Sequence, residues 1–203
     1  MTDNKQIALA ITGASGAPYA QRLLEVLLHS DMIVHLMISA AGRLVLADEL
    51  DWKLPARAGD IQSVLVEQFN CRPEQLHVYG EQQWSAPLAS GSHRVPVMVV
   101  CPCTMGTLSA IACGQSDNLI NRAADVMLKE NRKIILVPRE APFSAIHLEN
   151  MLKLARLGVC ILPPSPGFYF RPTELSQVVD FVVARILDQV GIDHALMPRW
   201  GEP

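Results

Sequence analysis

Charged and aromatic residues are both scarce in this chain of 203 residues. Only 18% of the residues are charged, below the ~25% of typical soluble domains, and 5% are aromatic, whereas 50% are hydrophobic. The net charge of −3 comes with no basic tail or stripe, so we expect no nucleic-acid partner. The hydrophobic content excludes disorder as the main state, and it indicates that other subunits cover part of the surface.

A disulfide framework is also missing. The five cysteines are odd in number, and the N-terminus has no basic region, long apolar stretch or cleavage site, so we expect a reduced, cytoplasmic protein. Residues 95–116 carry no charge, but prolines and a glycine interrupt them, which favours a buried strand and helix over a membrane span. Cys101 and Cys103 have no second cysteine pair at zinc spacing, so we interpret them as small buried hydrophobic residues rather than metal ligands.

Apolar strand patterns alternate with helical patterns along the chain. Continuous apolar strands separated by helices predict a parallel sheet covered on both faces, so the expected fold is an α/β, doubly wound, Rossmann-like single domain. The chain is too short for the eight strand–helix units of a TIM barrel. We take residues 1–190 as the domain and residues 191–203 as a C-terminal tail. Strands are predicted at residues 6–11, 32–38, 76–79, 95–102, 133–138 and 158–163.

A glycine-rich turn, residues 12–18, follows the first strand and opens a helix. Its free backbone N–H groups and the positive helix end favour a phosphate. The turn is neither GxGxxG nor GxxxxGK[ST], and the second strand ends in Ser39, where a dinucleotide fold would have an acid. The pattern favours a single phosphate, as in a mononucleotide such as FMN. The alternative is a plain serine cap in a tight turn.

Other strand ends and one helix also carry candidate binding residues. Residues 104–107 are small, bear hydroxyls and include a glycine, which suits close approach of a flat ring or a phosphate. Arg139 can hold an anion and Glu140 can move protons, although a salt-bridged loop is the alternative. Arg122 and Lys129 lie seven residues apart on one predicted helix, so they share a face that suits an anionic substrate or is simply solvated.

The proline-rich loop at residues 163–172 precedes the last predicted helix. It carries Tyr169 between two phenylalanines. Arg185 follows in an otherwise apolar helical run, where a buried charge without a partner is costly. The alternative to a ligand-binding role for Arg185 is an internal salt bridge with Asp180 or Asp188.

Residues 11–20 and 101–172 together resemble the flavin prenyltransferases, which belong to a flavodoxin-like superfamily of FMN-binding decarboxylases. The resemblance extends over residues 6–190 and is most specific over 101–172. It implies transfer of a dimethylallyl group from dimethylallyl monophosphate to N5 and C6 of reduced FMN, without a metal. It also implies a dodecamer with active sites at subunit junctions. The product, prenylated FMN, would serve a separate reversible decarboxylase, in many bacteria for ubiquinone synthesis.

The resemblance also assigns residues to the site, and it implies that the tail over residues 191–203 closes it. FMN would be held by Gly13, Ala14, Ser15, Ser39, Thr104, Met105, Gly106, Thr107 and Arg139. The prenyl phosphate and its pocket would involve Ala89, Ser90, Gly91, Arg122, Lys129, Tyr169, Arg185 and Trp200. The candidates for acid–base chemistry are Ser15, Glu49 and Glu140.

The chemistry of these residue types agrees with the assignment. Breaking an allylic C–O bond develops positive charge on carbon, which Tyr and Trp faces stabilise, and negative charge on phosphate, which Arg and Lys stabilise. The DDxxD motif by which diphosphate-using prenyltransferases hold Mg²⁺ is missing, so we expect no metal. One alternative is an FMN-dependent decarboxylase of cysteine type, but the asparagine of its motif is missing at residues 102–107. The other is a non-catalytic flavin carrier, which would leave Lys129, Tyr169 and Arg185 without a role.

Overall fold

Six parallel strands form the centre of the molecule. The computed structural model describes residues 5–199 and residue 201. Within them the strands are β1 (Gln6–Ile11), β2 (Ile33–Ile38), β3 (Leu76–Tyr79), β4 (Val97–Cys103), β5 (Lys133–Pro138) and β6 (Cys160–Ile161). They pair in the order β3-β2-β1-β4-β5-β6, and every pair is parallel. The expected α/β, doubly wound fold is confirmed, with a last strand shorter than predicted.

Helices cover both faces of this sheet. The described residues form α1 (Ala17–His29), α2 (Ala40–Leu50), α3 (Ala58–Gln68), α4 (Met105–Ala112), α5 (Leu119–Lys129), α6 (Ala145–Arg156) and α7 (Leu175–Val190). Helices α1, α2, α3 and α7 pack on one face, and α4, α5 and α6 on the other. Side chains of β1 alternate between the two layers, with Leu9 and Ile11 in the first and Ala8 and Ala10 in the second. The strands are mostly apolar because both of their faces are buried.

The cysteines are free thiols, all five of them. Cys101 and Cys103 are fully buried in β4, and burial raises the pKa of the Cys103 thiol to about 12. Their interpretation as small hydrophobic residues is confirmed. In the part of the chain that the structure describes, no group of three or more His, Cys, Asp or Glu side chains is arranged to hold a metal ion, and no helix is long and apolar enough to cross a membrane.

The strand order reverses between β1 and β4, which are neighbours in the sheet. The connections that follow these two strands turn to opposite faces, and this leaves a crevice at their carboxyl ends. The buried hydroxyl of Thr12 joins the two strand ends. It donates to the carbonyl of Pro102 at 2.8 Å and accepts from the N–H of Thr104 at 2.8 Å. Thr12 therefore fixes the two loops on either side of the crevice relative to each other.

Replacing Thr12 by Val should destabilise the fold, because the isosteric side chain leaves the Thr104 N–H without its acceptor. We expect the free energy of unfolding to fall by about 1–3 kcal/mol, the cost of an unsatisfied donor that water reaches poorly. Chemical denaturation of the full chain measures this change. Thr173→Val, at an exposed threonine, is the control and should fall by less. Equal stability of the two variants would show that the Thr12 hydroxyl does not hold the strand ends together.

Candidate active site

The glycine-rich turn after β1 packs against the start of α2. A Cβ atom at Gly13 would collide with the Cβ of Ala41, so only glycine fits there. Ser39, the N-cap of α2, donates its backbone N–H to the carbonyl of Ile11 at 3.0 Å. Residues 13–15 and Ser39, all predicted to hold FMN, therefore lie at the same end of the sheet.

The loop after β4 lies across the crevice from this turn. Thr104 is the N-cap of α4: its hydroxyl accepts from the N–H of Thr107 at 3.0 Å and donates to the Thr107 hydroxyl at 2.9 Å. The N–H groups of Met105 and Gly106 belong to the first helical turn, where no acceptor exists within the helix. A Cβ at the exposed Gly106 would meet only Thr104 Oγ1 within 4 Å, at 3.8 Å. These hydroxyls and backbone donors, with open space before them, suit a flat ring or a phosphate.

Arg139 joins the end of β5 to the glycine-rich turn. Its Nε donates to the carbonyl of Ser15 at 3.1 Å, and its backbone N–H donates to the carbonyl of Cys103 at 3.3 Å. The guanidinium is thus held by a backbone carbonyl rather than by the salt-bridged loop considered as an alternative. Glu140 is exposed, and its Oε1 accepts from the N–H of Ala141 at 3.1 Å. All the residues predicted to hold FMN lie on loops and helix starts at this edge of the sheet.

Glu49, near the end of α2, reaches the N-terminus of α1. Its Oε2 accepts from the N–H groups of Gly16 at 3.0 Å and Ala17 at 2.8 Å. Partial burial raises the pKa of Glu49, but hydrogen bonds from Ser15 and these two backbone groups, with the charge of Arg139, outweigh burial and hold the pKa below its ordinary value. Glu49 is therefore an ionised carboxylate near neutral pH, a form that accepts protons.

This contact changes what the glycine-rich turn offers to a phosphate. The sequence predicts free N–H groups and a positive helix end, whereas the N–H groups of Gly16 and Ala17 already donate to Glu49. Gly16, the N-cap of α1, has a φ of 125°, which side chains strongly disfavour. A phosphate at this edge is left with the N–H groups of residues 13–15, the hydroxyls nearby and Arg139.

The basic residues of α5 lie beside the loop predicted to line the pocket. Arg122 Nε donates to the carbonyl of Ala89 at 3.0 Å. Lys129 pairs with Glu130 at 2.5 Å, and a Cβ at Gly91 would collide with that carboxylate. Arg122 and Lys129 of α5 therefore lie beside the loop of Ala89, Ser90 and Gly91, and all five were predicted for the prenyl phosphate and its pocket.

Tyr169 and Arg185 line a cavity of about 350 Å³ between the proline-rich loop, α7 and the C-terminal tail. Phe181 contributes another wall, and its ring centroid lies 5.9 Å from that of Tyr169. Residues 197–199 of the tail complete the lining. Trp200, which the resemblance places here, lies outside the described residues. We call this space the α7 cavity.

Arg185 forms one of the two internal salt bridges considered from the sequence. It pairs with Asp188 at 2.5 Å, whereas Asp180 pairs with Arg22 of α1 at 2.7 Å. The side chain of Arg185 is still 52% exposed. The ion pair therefore does not bury the guanidinium, which stays accessible from the α7 cavity.

The two groups predicted to bind the prenyl phosphate lie on opposite faces of the sheet. Helix α5 packs in one apolar layer and α7 in the other. Lys129 is also close to the amino end of the sheet, because β5 begins at Lys133, whereas the loops predicted to hold FMN lie at the carboxyl end. A single chain therefore does not bring Arg122 and Lys129 together with Tyr169 and Arg185.

Five side chains of the α7 cavity were not singled out from the sequence, namely Phe181, His194, Met197, Pro198 and Arg199. Phe181 belongs to an apolar helical run, where an aromatic residue reads as core. The tail has no periodicity that assigns its side chains to a face. The available signal was the presence of a histidine and an arginine shortly after Gly191, the glycine that ends α7.

Comparison with known sequences gives matches over the whole chain. The flavoprotein family matches residues 1–187. The flavin prenyltransferase UbiX of Pseudomonas aeruginosa is 54% identical over 202 residues, which cover 100% of this chain and 97% of that protein.

Solved structures are similar over the same length. A crystal structure of AnUbiX (PadA1) in complex with FMN and dimethylallyl pyrophosphate has a TM-score of 0.84 at 35% identity and covers 98% of both chains. The dodecameric FMN-dependent UbiX-like decarboxylase of Escherichia coli O157:H7 has a TM-score of 0.83 at 39% identity, over 97% of this chain and 100% of that one. The chain therefore belongs to the flavoprotein family and, within it, to the flavin prenyltransferases of the UbiX type.

Proposed function

We propose that this flavin prenyltransferase transfers a dimethylallyl group from dimethylallyl monophosphate to N5 and C6 of reduced FMN, without a metal. The observation that carries the proposal is the separation of two kinds of site. Hydroxyls, Arg139 and the carboxylate of Glu49 gather at the carboxyl edge of the sheet, while cations suited to a leaving phosphate lie in separate groups elsewhere. The flavin acceptor and the leaving phosphate of the donor need different binding groups, and the two kinds of site provide them.

The residues at the carboxyl edge fit a flavin mononucleotide. The β1 and β4 loops are small enough for a flat ring to approach the backbone, and their hydroxyls and Arg139 can bind its phosphate and ring carbonyls. FMN supplies an electron-rich ring that accepts the prenyl carbon. The residues of the chain would hold and orient that ring. In this role we place Gly13, Ala14, Ser15, Ser39, Thr104, Met105, Gly106, Thr107 and Arg139.

The leaving phosphate needs positive charge that grows in importance as the C–O bond breaks. Arg122, Lys129 and Arg185 supply it, and Tyr169 adds a hydroxyl donor and an aromatic face. The chain lacks the aspartate-rich motif by which Mg²⁺ holds a diphosphate. Side chains that bind phosphate directly suit a monophosphate, which carries less charge. The AnUbiX structure was solved with dimethylallyl pyrophosphate. Comparing dimethylallyl monophosphate with the diphosphate as donors therefore tests this part of the proposal.

Proton transfer falls to Ser15, Glu49 and Glu140. Forming the bond at C6 releases a proton from the ring, so a base must lie at this edge. Glu49 is ionised and has the charge of a proton acceptor, although the bonds that lower its pKa make it a weaker base, and the Ser15 hydroxyl bonded to Glu49 can relay the proton. Glu140 follows Arg139 in the loop after β5, and its side chain is exposed.

A complete site needs more than one subunit, because α5 and α7 lie on opposite faces of the sheet. Helix α6 leaves Ile146, Leu148 and Leu152 more than half exposed, and Leu175 at the start of α7 is 76% exposed. Apolar side chains in this number favour burial against other subunits. We propose a dodecamer, as in the E. coli neighbour, with the loop of residues 89–91 and α5 contributed by an adjacent chain.

The product is proposed to pass to a separate decarboxylase that uses prenylated FMN, with ubiquinone synthesis as the pathway served. A product built on a cofactor and released by the enzyme that makes it requires such an acceptor enzyme. The free thiols of all five cysteines support a reducing, cytoplasmic location.

Anaerobic incubation with reduced FMN and dimethylallyl monophosphate should give a flavin heavier by one C5H8 unit in mass spectrometry. Dimethylallyl diphosphate should give much less product, and EDTA should leave the rate unchanged because side chains hold the phosphate. Product from the diphosphate alone, or activity that EDTA abolishes and Mg²⁺ restores, would contradict the proposal. Release of CO₂ from a cysteine-containing substrate without prenylation would favour the decarboxylase alternative.

Glu49→Gln and Glu140→Gln should each retain FMN binding but form product ~10²–10⁴-fold more slowly, the usual contribution of a proton-transferring side chain. Single-turnover mass spectrometry measures the rate, and fluorescence titration measures FMN affinity. Asp48→Asn, at an exposed acid next to Glu49 on α2, is the matched control and should retain full activity. Full activity in both glutamine variants would remove the carboxylates from the mechanism.

Lys129→Ala and Arg185→Ala chains should each be strongly impaired, yet regain activity when co-expressed. Random mixing gives about a quarter of composite sites with both side chains intact if they come from different subunits. Tagged co-purification isolates the mixed oligomers for assay. The control mixes Tyr169→Ala with Arg185→Ala, whose positions share one cavity, and it should regain nothing. Failure of the first mixture to exceed this control would show that sites are not shared between chains.

A further inference from the structure

The carboxylate of Asp188 joins the last helix to the C-terminal tail. Its Oδ2 accepts from Arg185 Nη1 at 2.5 Å, and its Oδ1 lies 3.3 Å from Nε2 of His194. The side chain of Asp188 is 27% exposed and that of His194 only 5%. Asp188 is therefore a link with one oxygen for each partner.

The backbone determines which nitrogen of His194 points to Asp188 as a donor. The N–H of Leu196 donates to Nδ1 of His194 at 3.4 Å. A neutral ring with an acceptor at Nδ1 carries its proton on Nε2, the nitrogen that faces Asp188. His194 thus links the tail to α7 through Oδ1 of Asp188, and it does not compete with Arg185, which bonds to Oδ2.

Arg185 keeps most of its donors after pairing with Asp188. A guanidinium has five N–H groups, and the contact with Asp188 uses Nη1 alone. The remaining groups belong to a half-exposed side chain in the same cavity as Tyr169 and Arg199. A guanidinium held at one corner presents its other edge in a fixed direction, which is what bidentate binding of a phosphate requires.

We propose that Asp188 and His194 are positioning residues for the prenyl phosphate. Asp188 orients the guanidinium of Arg185, and through the same carboxylate His194 fixes the tail residues 197–199 that complete the α7 cavity. Neither side chain needs to touch the phosphate. This inference rests on the proposed role of Arg185 in binding dimethylallyl monophosphate. The position of the tail and the binding of the phosphate by Arg185 would then both depend on the carboxylate of Asp188.

Asp188→Asn tests the link, because Arg185 and His194 bond to different oxygens of the carboxylate, and the amide nitrogen that replaces one of them cannot accept. We expect the KM for dimethylallyl monophosphate to rise about tenfold, the scale of a charge-assisted bond that loses its orientation, with kcat and FMN affinity nearly unchanged. His194→Ala should act in the same direction. His194→Gln, whose amide can donate to Asp188, should restore most of the affinity. The double variant Asp188→Asn/His194→Ala should exceed neither single variant by much, since both remove the same link.

Asp180→Asn is the matched control. Asp180 lies two turns earlier on α7 and pairs with Arg22, outside the α7 cavity. This variant should lower the thermal midpoint and leave the KM for dimethylallyl monophosphate unchanged. A merely structural role for Asp188 would give the same pattern as this control.

Suppose that Arg185→Ala raises the KM. An unchanged KM in Asp188→Asn, or a failure of His194→Gln to improve on His194→Ala, would then overturn the inference. An unchanged KM in Arg185→Ala would instead overturn the proposed role of Arg185, and this inference with it. If Asp188→Asn does not fold, the pair His194→Ala and His194→Gln makes the same test from the tail.

Discussion

Both faces of the central sheet are covered by helices, and this constraint decides where polar chemistry can lie. Strands β1, β4 and β5 are buried at nearly every position. His35, buried within β2, shows what a polar side chain needs there: its ring nitrogens bond to Tyr79 and Gln6, and burial lowers its pKa to about 4. A ring that stays neutral and fully bonded has little to offer a ligand. The strand ends, the outer faces of the helices and the tail remain, and the candidate residues lie there.

The same sheet separates the cations proposed for the prenyl phosphate. Side chains on α5 and α7 cannot reach one ligand, because the six-stranded sheet and the apolar layers on its two faces lie between them. Within the chain each of these cations has an acidic neighbour: Lys129 pairs with Glu130, and Arg185 with Asp188. Ion pairs as exposed as these hold their partners weakly. An incoming phosphate can therefore recruit the cations without a large rearrangement, once a second subunit brings the two groups face to face.

Continuous hydrophobicity was enough to predict the central strands, because a strand buried on both faces is apolar on both. The half-buried edge strand β6 is shorter than its apolar run predicted. Residues 133–138 are a strand as predicted, and the loops proposed to hold FMN follow the ends of such strands. The contact of Glu49 with the start of α1 was not predictable, since it joins residues 33 apart through the angle between two helices. The sequence could not decide between Asp180 and Asp188 as the partner of Arg185 for a related reason. Asp188 is a helical neighbour at i+3, but only the packing of α1 on α7 shows that Asp180 is engaged elsewhere.

Glu49 has two tasks in the proposed reaction, and they oppose each other. Its hydrogen bonds to Gly16 and Ala17 cap α1 and lower its pKa. The stability they add is present above the ordinary Glu pKa of ~4.3 and is lost as the pH falls through the lowered value, because protonation removes the charge that the N–H groups bind. In the proposed reaction, protonation of Glu49 would weaken the same bonds and loosen the glycine-rich turn that carries Ser15. Restoring the cap would favour release of the proton, so the interaction that holds the glycine-rich turn in place would also return the base to its ionised form.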